Sequence, residues 1–221
     1  MVVYYLKHHR AKYFEQKFEL FLKKLTSTLI AQYSVSPSVN SVKRPILKLN
    51  AEIFKSNHPS FESFGKVEVN KESIILPHPK IERMLLKLLA YSVRSQPLLQ
   101  RWEIEHILPK KWDDHFFSDD YSPAYINETI EHIGNKIPLE KKLNIKASNG
   151  YFSKKKQEYR QSKIKIAQEL SIYRVKDWNI PDITARDMKI YEKINKIISQ
   201  WEKDYDKGLR ARKSLSTTRR I

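Results

Sequence analysis

Apolar side chains recur every three or four positions between residues 3 and 33, and this spacing predicts one long helix. Charged residues such as Lys17, Glu19, Lys23 and Lys24 fall largely outside the apolar face. This apolar face could pack in the core of the protein or dock onto a partner domain, and both interpretations are kept. Its members are Phe14, Phe18, Phe21, Leu25 and Leu29.

The next segments alternate between helix-breaking residues and apolar stripes. Residues 34–43 are rich in Ser, Pro and Asn and predict a loop. Pro45 suits the first turn of a helix that continues to about residue 57. One short strand is predicted at residues 66–70, and an apolar helical stripe follows at residues 81–94. This half of the chain therefore predicts a helical layer.

Residues 99–108 alternate apolar and polar side chains, which predicts a strand. Neighbouring side chains of an ideal strand point to opposite faces. Glu105 and His106 can therefore serve one site only where the strand ends or bends, and Pro109 favours such an end.

The remaining residues predict a second strand and several helices. Residues 133–139 predict the strand, which is entered through Gly134, and residues 140–146 predict a short helix. Longer helices are predicted at about residues 153–173 and 182–205. The whole pattern predicts an α+β fold that is mostly helical.

Composition narrows the possible functions. The chain has 221 residues, a formal net charge of +17 and no cysteine. The charge favours an anionic partner such as nucleic acid, and the missing cysteines exclude disulfides, Cys-ligated zinc and thiol nucleophiles. The chain contains no glycine-rich nucleotide-binding motif. Without a signal peptide or an apolar run long enough for a membrane, we expect a cytoplasmic protein.

Residues 113–131 are acidic and contain no Lys or Arg, unlike the rest of the chain. Three interpretations stay open: a second metal site with His115, carboxylates that are solvated or cap helices, and a shield over the cleft. The acidic residues are Asp113, Asp114, Asp119, Asp120, Glu128 and Glu131.

The candidate chemistry centres on Glu105, His106 and the amides of Asn135 and Asn144. An imidazole can take a proton from water near neutral pH. A carboxylate and an amide oxygen can hold a hard divalent cation such as Mg²⁺. His132 is the main rival imidazole, since it lies near the second predicted strand. Together these groups are the parts of a one-metal phosphodiester hydrolase.

The order of these residues resembles that of the HNH (His-Me finger, ββα-metal) nucleases. More narrowly, the chain is similar to the C-terminal domain of GmrSD-type modification-dependent restriction endonucleases in the runs IEHILPKKW, HIGNKIPLEKKLNIKASNGYFSKK and ITARDMKIYEKINKIISQW. The similarity spans roughly residues 78–201 and includes Phe152, Arg186 and Trp201. It implies a ββα-metal module embedded in helices, after a helical N-terminal part.

The resemblance also implies site roles. His106 is expected as the general base, with Asn135 fixing the segment around it. Glu105 and Asn144 are expected to bind Mg²⁺ or Mn²⁺. Lys155 matches a Phe-x-x-Lys motif and is expected to contact a DNA phosphate.

The resemblance also implies the partners, which are DNA, plain or with modified bases, and an NTPase or recognition subunit or domain. Basic side chains crowd the predicted helix after residue 151, where a phosphate-binding surface and a solvated face are both compatible with the pattern. The predicted DNA-binding residues are Lys154, Lys155, Lys156, Arg160 and Lys163.

Three segments are predicted: a helical region at 1–95, an HNH-like nuclease domain at 96–205 and a basic, disordered tail at 206–221. The predicted function is metal-dependent DNA cleavage in the restriction of foreign or modified DNA. The alternatives are a DNA-binding module without catalysis and a scaffold subunit of a restriction system.

Overall fold

The computed structural model describes residues 1–92, 96–113, 116–117 and 121–217, with side chains described to residue 208. The chain forms two compact units. Unit 1 contains residues 1–70 and 195–221, and unit 2 contains residues 71–194. These bounds differ from the predicted segments, because the helix at 79–91 belongs with the strands that follow it.

Unit 1 is helical around an aromatic core. Its elements are α1 (Val2–His8), α2 (Phe14–Val35), α3 (Val39–Lys55) and the later part of α10 (Ile180–Thr217). The single helix predicted from residue 3 is interrupted because Tyr13 adopts a left-handed backbone conformation at φ 60°. The core residues are Tyr4, Phe21, Leu49, Ile53, Phe61, Phe64 and Tyr205.

Two other predictions for unit 1 were wrong. The helix α3 begins at Val39 rather than at Pro45, because the Ser38 side chain caps it by accepting a hydrogen bond from the Ser41 amide at 3.2 Å. Residues 66–70 contain no strand. Of the predicted tail at 206–221, residues 206–217 belong to α10, and residues 218–221 lie outside the described residues.

Unit 2 packs short helices around a two-stranded sheet. Its elements are α4 (Lys71–Ile75), α5 (Pro79–Tyr91), β1 (Trp102–His106), α6 (Pro123–Ile130), β2 (Lys136–Glu140), α7 (Lys141–Ala147), α8 (Phe152–Gln161), α9 (Lys165–Ser171) and the start of α10. A mostly helical protein with one small sheet agrees with the α+β prediction. Its buried apolar residues include Leu85, Ile107, Ile137, Leu139, Tyr159, Ile164 and Ile183.

The sheet places the candidate residues at one end. The strands β1 and β2 are antiparallel, with Glu105 opposite Ile137 and His106 opposite Lys136. The helix α7 starts at the residue after β2, so Asn144 comes back beside the first strand. This order of two strands and a helix follows from the alternation of period-2 and helical patterns in the sequence.

Two features of unit 2 were not predicted. The helix expected at 153–173 is divided into α8 and α9, because Ser162 is extended and donates its hydroxyl proton to Glu140 at 2.7 Å. The acidic insert contains α6, which is capped by Ser122 and has Pro123 in its first turn. Asp114, His115, Asp119 and Asp120 lie outside the described residues.

In the part of the chain that the structure describes, no helix is long and apolar enough to cross a membrane.

Candidate active site

Glu105 lies at the centre of a buried polar cluster between β1 and the helices α7 and α8. Its Oε1 accepts hydrogen bonds from Lys155 Nζ at 2.7 Å and from the Tyr159 hydroxyl at 2.9 Å. Its Oε2 accepts one from Asn144 Nδ2 at 3.0 Å. Lys155 also donates to the backbone carbonyl of His106. The two predicted metal ligands are therefore in direct contact.

Burial controls the protonation of this cluster. Glu105 is 4% exposed, and burial raises the pKa of its carboxyl although Lys155 opposes the shift. Burial likewise lowers the pKa of the Lys155 ammonium, against the attraction of Glu105. Each charged group thus favours the charged form of the other, as in a buried ion pair.

Asn135 lies just before β2 and is fully buried. Its Oδ1 accepts a hydrogen bond from the Leu108 amide at 2.7 Å, and its Nδ2 donates to the carbonyl oxygens of Leu108 at 3.0 Å and Ile130 at 2.9 Å. Its own backbone carbonyl accepts from the Ile107 amide at 2.8 Å. The side chain thus holds the backbone directly after His106.

His106 contacts a different set of residues from Glu105, as the alternation of side chains along a strand requires. His106 Nε2 lies 3.3 Å from Glu131 Oε2. The Glu131 carboxylate also accepts hydrogen bonds from Lys110 at 2.6 Å and Lys136 at 2.7 Å. Lys136 is buried and forms a second ion pair with Glu82.

These surroundings keep the imidazole neutral at pH 7. The pKa of His106 is lowered to about 4, mainly by burial. Lys136 and Lys110 contribute to the lowering, and Glu131 opposes it. Burial alone would raise the pKa of Glu131, but hydrogen bonds from Lys110 and Lys136 hold it at about 2. A neutral imidazole beside an ionised carboxylate can accept a proton from water.

The first turns of α10 hold the chain segment that carries Asn135. Asp187 accepts a hydrogen bond from the Gly134 amide at 2.7 Å and lies 2.8 Å from His132 Nδ1. Arg186 Nη1 donates to the backbone carbonyl oxygens of Gly134 at 2.6 Å and Lys136 at 3.0 Å. The rival imidazole of His132 is therefore engaged by a buried carboxylate of α10.

Glu105 and Asn144 provide the kinds of ligand that Mg²⁺ or Mn²⁺ prefers. One carboxylate and one amide oxygen form a small protein ligand set that water and a phosphate oxygen would complete. The contact between Oε2 and the Asn144 amide places both ligands on one side of the cluster. Among the described residues, no group of three or more His, Cys, Asp and Glu side chains could hold a metal ion. Glu105 and Asn144 are therefore the two candidate ligands, and the Asn144 atom that faces the carboxylate is the Nδ2 donor.

The five predicted DNA-binding residues divide by burial. Lys154, Arg160 and Lys163 are exposed. Lys156 is half-buried and donates to the carbonyl oxygens of Tyr173 and Val175, each at 2.6 Å. Lys155 is 1% exposed and paired with Glu105, so its position does not fit the predicted contact with a DNA phosphate.

Several residues of the site were not assigned a role from the sequence. Tyr159 and Asp187 carry no motif that marks them, and Lys136 is one basic residue among many. Glu131 was noted only as one of the carboxylates of the acidic insert. The signal that could have distinguished it is its position two residues before the second predicted strand.

Comparison with known proteins gives one match. The family model described as "GmrSD restriction endonucleases, C-terminal domain" matches residues 60–193. Searches of curated proteins and of solved structures found no match. The matched range contains Glu105, His106, Asn135 and Asn144.

Proposed function

Because the chain belongs to the family of the C-terminal domain of GmrSD restriction endonucleases, we propose that it is a metal-dependent DNA endonuclease of the His-Me finger type. Its role would be the restriction of foreign or modified DNA. The observation that carries this proposal is the arrangement of β1, β2 and α7, which brings Glu105 into contact with Asn144. His106 follows Glu105 directly and is the last residue of β1.

His106 is the general base of the proposed reaction. Its low pKa keeps the ring unprotonated at pH 7, so it can take the proton of the water that attacks the phosphorus. Asn135 keeps the backbone at Leu108 in place and thereby limits the movement of His106. Lys155 binds the carbonyl oxygen of His106 and therefore contributes to the same positioning.

Glu105 and Asn144 would hold Mg²⁺ or Mn²⁺. When bound, the cation would stabilise the negative charge that develops on the phosphate and on the leaving oxygen. Tyr159 and Lys155 orient the Glu105 carboxylate through Oε1, so that Oε2 stays directed at Asn144. The chain's own residues thus preorganise the two ligands.

DNA would be held by exposed cations in unit 2. Lys154 and Arg160 on α8, and Lys163 just after it, are exposed. The helix α7, which carries Asn144, adds three further exposed lysines, and these are Lys141, Lys142 and Lys146. Such cations bind phosphates without reading the sequence. Recognition of modified bases is therefore assigned to a partner subunit or domain with NTPase activity.

The test is nicking of supercoiled plasmid, plain and hydroxymethylated, with Mg²⁺ or Mn²⁺. We expect His106→Ala to reduce the rate by about 10²- to 10⁴-fold, the usual contribution of a general base. The exposed His9 provides the matched control, because His9→Ala removes an imidazole in unit 1. EDTA should stop cleavage. Wild-type cleavage that His106→Ala leaves unchanged would refute the assignment.

One observation favours a second candidate, a DNA-binding module without catalysis. The Glu105 carboxylate already has a cation, since Lys155 is 2.7 Å away. Fluorescence anisotropy with a labelled duplex separates the candidates. Salt-sensitive DNA binding by a chain that cleaves with neither metal, alone or with its partner subunit, would establish the binding module.

A further inference from the structure

Glu131 is the residue immediately after α6, and its carboxylate faces the imidazole of His106 at 3.3 Å. We propose that Glu131 is the positioning residue of His106: it holds the ring in the tautomer with the proton on Nε2 and leaves Nδ1 to accept the proton of water. This inference rests on the proposed function, because it assigns an orientation to the proposed general base.

The chemistry of the two groups selects one tautomer. An ionised carboxylate can only accept hydrogen bonds, so the ring nitrogen that faces it must carry the hydrogen. A neutral imidazole has a single N–H. With that hydrogen on Nε2, the lone pair of Nδ1 is available as a base.

The position of Glu131 is fixed by the same sheet that carries His106. Lys136 lies opposite His106 in the register of β1 and β2, and its Nζ is 2.7 Å from Glu131 Oε2. Lys136 is 4% exposed and also paired with Glu82 from α5. Lys110 holds the other oxygen of Glu131 at 2.6 Å. The carboxylate is therefore anchored by two cations and stays ionised.

Nδ1 is left for a reactant. Within the described ranges, no side chain or backbone group forms a hydrogen bond with Nδ1 of His106. The imidazole is largely enclosed, with 15% of its side chain exposed. Because Nε2 is hydrogen-bonded and Nδ1 is not, Nδ1 is the ring nitrogen that can take a proton.

The proposed step is a displacement at phosphorus. The water oxygen forms a bond to phosphorus, the bond between phosphorus and the leaving oxygen breaks, and the water proton moves to Nδ1. The resulting imidazolium is stabilised by the Glu131 carboxylate, which does not itself take the proton. The leaving oxygen takes a proton from solvent water, and the proton on Nδ1 returns to solvent.

The test is ¹⁵N NMR of the full chain with labelled histidine at pH 7, with His106→Ala used to assign the signals. We expect wild-type His106 to be protonated on Nε2 and unprotonated on Nδ1. Glu131→Gln keeps the shape of the side chain but adds an N–H donor, so both tautomers should be populated. Glu128→Gln on the exposed face of α6 is the matched control and should leave the tautomer unchanged.

Plasmid nicking gives the second readout. We expect Glu131→Gln to lower kcat by about 10- to 100-fold with unchanged KM, the size of loss found for carboxylates that orient a metal-bound histidine. A wild-type His106 protonated on Nδ1 would overturn the proposal, as would a Glu131→Gln variant with unchanged tautomer and rate. If the wild type cleaves no DNA but its tautomer depends on Glu131, the proposed function fails and the positioning contact stands.

Discussion

One added methyl group at Gly134 should destabilise the segment that carries Asn135. A Cβ built on Gly134 would lie 2.3 Å from the backbone oxygen of Ile183 and 2.5 Å from Asp187 Oδ1. Ordinary contacts of a Cβ begin at 3.4 Å. The start of α10 would therefore have to move by about 1 Å from the chain segment before β2, since packed interiors have no space to absorb the methyl group.

The free energy of this movement follows from the contacts that it weakens. Overpacking costs about 1–3 kcal/mol. The hydrogen bonds from the Gly134 amide to Asp187 and from Arg186 to the Gly134 carbonyl involve charged groups, and such bonds contribute about 1.5–3 kcal/mol each. We expect Gly134→Ala to lower the free energy of unfolding by about 3–6 kcal/mol, a large part of the stability of a typical domain.

The assay is urea denaturation followed by circular dichroism, with Gly208→Ala as the matched control. A Cβ on Gly208, in the helical part of unit 1, would meet only the end of the Leu20 side chain at 3.3 Å. Helix propensity favours this alanine by about 1 kcal/mol, so the control should be nearly neutral or stabilising. A loss below about 1 kcal/mol for Gly134→Ala would refute the packing argument.

Three further predictions concern charge. Between pH 6.5 and 4.5 the unfolded chain protonates His106, while the folded chain, in which the pKa of His106 is about 4, does not. The free energy of unfolding should therefore fall by about 2–3 kcal/mol as the pH is lowered from 6.5 to 4.5. Urea denaturation of His106→Ala should lack this dependence on pH. Lys155→Met leaves Glu105 buried without its cation, so it should lower the free energy of unfolding by about 3–5 kcal/mol. Adding Glu105→Gln should recover part of this loss. A Lys155→Met variant as stable in urea as the wild type would contradict the prediction. Lys154 is exposed, so Lys154→Gln should weaken DNA binding and reduce the salt slope of log K by about 0.9 if it binds one phosphate; an unchanged slope in anisotropy titrations would exclude that contact.

Local patterns predicted much of unit 2. The alternation at 99–108 and the segment after Gly134 indicated the two strands, and the structure has them at Trp102–His106 and Lys136–Glu140. The short helix predicted at 140–146 corresponds to α7, Lys141–Ala147. These predictions agree with the structure because side-chain periodicity and turn chemistry act over a few residues.

Predictions failed where a local conformation or a distant contact interrupts a regular pattern. The long apolar stripe at 3–33 continues across Tyr13, yet the left-handed backbone there ends one helix and starts another. The basic helix predicted at 153–173 is broken at Ser162 by contacts with Glu140. Periodicity reports which face of a helix is apolar, and it contains no information about such breaks.

The sequence by itself determined the family, the order of strands and helix, and the identities of Glu105, His106, Asn135 and Asn144 as the candidate residues. The tertiary structure alone decided which groups these residues contact. It buried Lys155 against Glu105 instead of exposing it to a phosphate, and it placed Glu131 against His106. The physical reason is that such contacts join residues distant in the chain, and their balance of desolvation and attraction depends on how the elements pack.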